Sequence, residues 1–148
     1  MRVSRQRVFL LVLALTIACH DTTGPQTVSA HFVLENINGR PLPTYLSATP
    51  GPTATILSAT LTLDKLGKAV MTELRQDVLQ GEATYTSTFD YRIHGNQIEI
   101  GSFEPCPINA ICAGNIMGTI SIGGLSLVMV SFSIDGPIIY EYRIAGNL

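Results

Sequence analysis

Tryptophan is absent from these 148 residues, charged side chains make up only 14 %, and histidine occurs three times. Each shortage excludes a class of function. A membrane-spanning β-barrel sets girdles of aromatic residues at both interfaces of its lipid face. Here Trp is missing, and Thr84, Thr86, Thr88, Asp90 and Arg92 occupy the face turned away from the expected core, a water-facing set. Three of the nine basic residues, Arg2, Arg5 and Arg7, lie at the extreme N-terminus. The other six, Arg40, Lys65, Lys68, Arg75, Arg92 and Arg143, stand singly among eleven acidic residues, which leaves the rest of the chain at a formal charge of about −5. A nucleic-acid binder needs clustered Lys and Arg to displace phosphate counterions, so no nucleic-acid partner is expected. Acyl transfer needs a base beside a nucleophile, and His20, His31 and His94 sit in no such frame. Gly123-Gly124 precedes no helix that would hold a phosphate, and nothing in the pattern pairs Glu73 with Glu99 as an acid and a base. No catalytic residue, metal or cofactor is expected, and the chain does not read as an enzyme.

What is present at the start is an export leader. Three arginines precede the mostly apolar stretch from Val8 to Ala18, a charged n-region followed by a short h-region too brief to span a bilayer. Thr16-Ile17-Ala18-Cys19 then sets a small residue directly before a cysteine, the arrangement of a bacterial lipobox, although Thr16 and Ile17 replace the usual Leu and small residue. The expectation is a signal peptide over 1–18, lipidation of Cys19, and attachment to a membrane through that N-terminal lipid anchor. Ordinary signal-peptidase cleavage after Ala18 is the alternative, since Thr at −3 and Ala at −1 suit that enzyme too. With His20 and not Asp after the anchor, the acidic signal for inner-membrane retention is missing. The expected location is therefore the cell envelope, lipid-anchored at the outer membrane and facing the periplasm or exterior.

Residues 19–30 read as a flexible tether, since Asp21 to Val28 is polar, contains Thr-Gly-Pro and has no apolar period. From His31 to Leu148 the pattern is alternation of period two, broken by Gly and Asn turns about every ten residues, with no helical spacing. Strands are expected over 31–37, 57–64, 68–76, 84–93, 97–103, 116–122, 125–134 and 138–144. In the second, Leu57, Ala59, Leu61 and Leu63 share the inner face; in the third, Val70, Thr72 and Leu74 do. Ile98 and Ile100 point inward in the fifth, and Ile116, Gly118, Ile120 and Ile122 continue the β pattern in the sixth. Pro41, Pro43, Pro50 and Pro52 cannot donate ladder hydrogen bonds, which makes 40–53 a loop or irregular edge. Eight sequential strands with one apolar face each can close on themselves and so remove exposed edges. The fold class expected is therefore all-β, a small antiparallel up-and-down barrel. An open twisted sheet or a sandwich is the alternative. Cys106 and Cys112, beside Pro105 and Pro107 in a loop over 104–114, are expected to join as a disulfide in an oxidising envelope. A C-x5-C spacing without nearby His or Asp does not make a zinc site.

The stretch Phe32-Val33-Leu34-Glu35-Asn36-Ile37-Asn38-Gly39-Arg40-Pro41-Leu42-Pro43 resembles the first-strand motif of small lipocalin-like bacterial lipoproteins. Ser58 to Asp64, Tyr91 to Ile98 and Gly124 to Leu127 are similar to hairpin edges of the same group. The first strand also resembles a META-type domain, but lacks the Gly-Cys-Asn turn that goes with it. The resemblance implies a barrel and an envelope location; it implies no catalytic residue and no known ligand, so function has to be argued from a site.

Tyr85, Phe89, Tyr91, Tyr140 and Tyr142 fall on expected inner faces. An eight-stranded barrel is just wide enough to fill itself with side chains or to hold one small ligand. The five rings therefore read either as the lining of a cavity for a small apolar or amphipathic molecule, with phenol groups as polar handles, or as packing of the core. The first reading makes the protein a non-catalytic binding module. Its alternative is an envelope interaction or inhibitor module acting through the 40–53 and 104–114 loops on a protein partner that the sequence does not identify.

Overall fold

A computed structural model describes residues 27–46, 54–78, 80–104, 115–121, 123–133 and 136–145. Cys19, Cys106, Cys112 and the leader lie outside these described residues. The elements are strands β1 (Ala30–Ile37), β2 (Arg40–Pro41), β3 (Thr44–Leu46), β4 (Ala54–Leu63), β5 (Lys68–Asp77), β6 (Gly81–His94), β7 (Gln97–Gly101), β8 (Ile116–Ile120), β9 (Ser126–Ser133) and β10 (Gly136–Ile144). Each long strand pairs antiparallel with its neighbours in chain order from β4 to β10. β1 closes the ring: Phe32 lies opposite Ile144 of β10 on one side and opposite Leu61 of β4 on the other. The fold is thus a closed, eight-stranded, up-and-down antiparallel barrel. β2 and β3 are short additions, pairing with the end of β1 and the start of β4 where those two strands part. The proline-rich connection expected to be irregular contributes this edge structure because Arg40 to Leu46 hydrogen-bonds onto strands already in place. The Leu42 N–H, for example, donates to the Glu35 carbonyl of β1 at 3.2 Å.

Alternation explains the core. Phe32, Leu34, Leu61, Leu63, Tyr91, Ile93, Ile98, Ile100, Leu127, Met129 and Tyr142 point inward and are buried, while their strand neighbours face water. Two faces differ from those expected. In β4 a register shift between Ile56 and Ser58 inserts a bulge, so Ile56, not Leu57, joins Ala59, Leu61 and Leu63 inside. In β5 the inner residues are Ala69, Met71, Glu73 and Arg75, and Val70, Thr72 and Leu74 face outward. The β4–β5 turn sets this phase. Asp64 pairs back to Lys68 around Lys65-Leu66-Gly67, with Gly67 at φ 80°, a three-residue loop that puts Leu63 opposite Ala69. The expected strand over 97–103 ends at Gly101, beyond which the Phe103 ring turns back to stack 3.9 Å from the Arg92 guanidinium.

At Gly118 the inner wall leaves no room for a side chain. A Cβ there would lie 2.9 Å from Ile98 Cγ2, 2.9 Å from the Val128 carbonyl oxygen and 3.0 Å from Met129 Cγ. Because the carbonyl belongs to the β8–β9 ladder and cannot swing aside, Gly118→Ala should cost about 1–3 kcal/mol. Urea unfolding of the two proteins checks this.

Strand direction sorts the connections into two ends. The strand ends at 63, 68, 94, 97, 120 and 126 and the start of β1 lie at one end, and the strand ends at 37, 54, 77, 81, 101, 116, 133 and 136 lie at the other. The long-connection end is uneven. β7 and β8 have five residues each, whereas β6 has fourteen and β9 eight, so β6 and the β9–β10 hairpin rise above the strands between them.

Candidate functional site

The lower barrel, toward the tight turns, is apolar and filled: Phe32, Leu61, Leu63, Ile98, Ile100 and Leu127 are all fully buried. Tyr91 belongs to this end. Its phenol lies 2.7 Å from the Asp64 carbonyl and 2.8 Å from that of Val28, and accepts the Val28 N–H at 2.8 Å, which fastens the segment before β1 across the barrel floor. Burial pushes its pKa above the ordinary tyrosine value. Tyr91 is a structural clasp, separated from the other tyrosines expected to line a cavity.

The upper interior is polar, and this was not visible in the sequence pattern. Inner-face alternation on β5 brings Glu73 and Arg75 to the same side, and Arg75 donates through Nε, at 2.8 Å, and Nη2 to the same Glu73 oxygen, Oε2. The carboxylate is nearly enclosed, with a side chain 10 % exposed, while the Arg75 side chain is 39 % exposed. On β6 the Tyr85 ring lies 4.9 Å under the Arg75 guanidinium, and its hydroxyl donates to Asp77 Oδ2 at 2.7 Å. That hydrogen bond, foremost, raises the Tyr85 pKa. Phe89, two turns of the pleat lower, is half-buried against the core. Tyr140 and Tyr142 face the same space from β10. Burial raises both pKa values, and the negative charge of Glu73 raises them further. The structure therefore groups Tyr140 and Tyr142 with Glu73 and Arg75 and places Phe89 lower on the same inner phase; Tyr85, expected to line the cavity, is 37 % exposed and packs only on the outer side of Arg75, and Tyr91 is set apart. The expected phase of β5 turns Glu73 and Arg75 outward, so spacing weighs Glu73 only beside Glu99 and does not single out Arg75. The usable signal was Gly67, whose place in the turn sets the register.

Tyr142 stands out within the group. Its hydroxyl is buried and has no hydrogen-bond partner among the described residues. Such a group ordinarily costs about 1–3 kcal/mol. Tyr142→Phe should accordingly leave stability at pH 7 unchanged or raise it by up to about 1 kcal/mol. It should also change alkaline behaviour. In the folded chain Tyr142 keeps its proton well above the ordinary value of 10.0, whereas the unfolded chain releases it there. The unfolded state then binds fewer protons, so stability is full below pH 10 and falls above it. Denaturant titrations between pH 9 and about 12 should show a shallower fall for Tyr142→Phe than for the wild type.

The histidines lie elsewhere. His31 is on the outer surface with Nδ1 2.8 Å from Thr62 Oγ1, and His94 is exposed at the 94–97 turn. Among the described residues no three His, Cys, Asp or Glu side chains are grouped to hold a metal ion. One cleft of about 420 Å³ is lined by Thr27, Leu66, Gly67, Asp90, Tyr91, Arg92, Phe103 and Glu104, none of them a member of the Glu73–Arg75 group. No protein-family model matches the chain, and no curated protein or solved structure matches it.

Proposed function

We propose that the protein is a cell-envelope lipoprotein, anchored through Cys19, whose barrel takes a small amphipathic molecule into its long-connection end and performs no chemistry on it. The observation that carries this reading is the buried, unpartnered Tyr142 hydroxyl beside Glu73 and Tyr140. Ligand sites are largely apolar with a few convergent polar groups. A polar group of a ligand would give the Tyr142 hydroxyl its missing partner. The apolar part would lie against Met71 and Phe89, half-buried on the inner face below Tyr85. The export leader supports the location. A second reading, an interaction surface formed by 40–53 and 104–114, draws support from both long connections leaving the same end of the barrel.

Native mass spectrometry of the full chain, extracted from its own membrane in mild detergent, tests the proposal. The expected spectrum shows a diacylglycerol adduct on Cys19 and a second, non-covalent small-molecule mass that is reduced in Tyr142→Phe. A ligand-free barrel, or retention that ignores Tyr142→Phe, contradicts the binding reading; a co-purifying protein in place of a small molecule supports the second.

A further inference from the structure

Among the described residues, the upper part of β6 is an open edge on one side. β5 covers one side of it without interruption, from Asp77 opposite Gly81 to Lys68 opposite Asp90. On the other side β7 reaches only Asp90, opposite Gly101. Among the described residues nothing pairs with β6 from Gly81 to Phe89 on that side, nine residues spanning about 30 Å. Proteins usually protect such edges with Lys, Pro, a bulge or a very short strand. This one has no Lys, Arg or Pro between Gly81 and Phe89, and its register with β5 never shifts.

Backbone direction shows which groups are offered. The Tyr91 N–H donates to the Gly67 carbonyl on the β5 side. Alternation then turns the N–H and C=O of Ala83, Tyr85, Ser87 and Phe89 toward β5 as well, and those of Glu82, Thr84, Thr86 and Thr88 toward the open side. The side chains of these last four are exposed on the outer face.

The geometry points to a second copy of this chain as the occupant, joined β6 to β6 in antiparallel register about a two-fold axis through Tyr85. In that register Thr84 lies opposite Thr86 of the other copy and Glu82 opposite Thr88, each twice. All four pairs are of the hydrogen-bonded kind, so the whole edge is used and about eight backbone hydrogen bonds form. Threonine pairs suit facing strand positions, and no two carboxylates meet. A shift of one residue, centring on Thr86, would set Glu82 against Asp90 of the other copy and lose a pair, because β7 already holds Asp90. The self-complementary arrangement is that of an isologous dimer.

The test is light scattering on the full chain in detergent, with amide exchange followed by NMR. The wild type should show twice the single-chain protein mass, and the amides of Glu82, Thr84, Thr86 and Thr88 should exchange as slowly as those of Ala83, Tyr85 and Ser87. The double variant Thr84→Lys/Thr86→Lys sets lysine against lysine and should be monomeric, its even-numbered amides exchanging freely while the odd-numbered ones stay protected by β5. Thr84→Lys/Thr86→Glu sets lysine against glutamate in both pairs and should dimerise. A single-chain mass for the wild type overturns the proposal. So does a dimer that survives Thr84→Lys/Thr86→Lys, or edge protection that comes from a different protein. Loss of odd-numbered protection in a variant would mark an unfolded hairpin, and the wild-type mass and exchange then decide alone.

Discussion

Phe32→Ala should lower the unfolding free energy by about 3–5 kcal/mol, the cost of deleting a large ring that the surroundings cannot collapse upon. Phe32 is 2 % exposed and sits at the seam where β1 meets both neighbours, opposite Leu61 and Ile144. The vacated space would weaken the contact that closes the ring as well as the core. A domain of this size has roughly 5–15 kcal/mol in total, so the variant should be marginal at 37 °C. Val33→Ala, the next residue on the outer face and 39 % exposed, should change stability by less than about 1 kcal/mol. Urea unfolding, with the slope compared as well as the midpoint, separates lost stability from an altered unfolded state.

Arg75→Ala should cost about 3 kcal/mol, because it leaves the Glu73 carboxylate enclosed without its partner. Breaking a buried pair from one side commonly costs 3–5 kcal/mol. The lower end applies here since Arg75 is partly exposed and some water reaches the pair. The stacking of the guanidinium on Tyr85 is lost in the same step. Replacing both partners by apolar residues of similar size, Glu73→Leu with Arg75→Met, should restore stability to within about 1 kcal/mol of wild type. That contrast between single and double variants would show that the pair is not held for stability, in keeping with a role in orienting polar groups toward Tyr140 and Tyr142. Thermal and urea unfolding of the three proteins measure it.

The architecture was legible because alternation and turns agree along most of the chain. Phe32 and Leu34, Ala59 to Leu63, Tyr91 and Ile93, and Ile98 and Ile100 all face the side their spacing indicates. Closure was legible only through the number of strands and the need to remove edges, since pairing of β1 with both β4 and β10 joins residues far apart in sequence and leaves no local mark. The two misassigned faces have local causes. A single extra residue near Leu57 flips the start of β4, and on β5 the alternation is ambiguous because Val70 and Leu74 are as apolar as Ala69 and Met71. Only the three-residue turn ending at Gly67 decides between them. With that phase reversed, Glu73 and Arg75 were placed on the outside, and the polar half of the barrel, which carries the functional reading, was hidden. The tyrosines share one inner phase but differ in height along the barrel. Spacing gives the phase, and only strand pairing gives the height that separates Tyr91 from Tyr140 and Tyr142.

All of this depends on Glu73, Arg75 and the tyrosines facing the inside of a closed ring and not one side of an open sheet. Cross-strand NMR contacts of β1 test that point most directly. Backbone protons of Phe32 and Val33 should show contacts to Leu61 and Thr60 of β4 and, in the same molecule, to Ile144 and Arg143 of β10. Contacts to only one of the two strands, with the amides of the other edge exchanging freely, would contradict it.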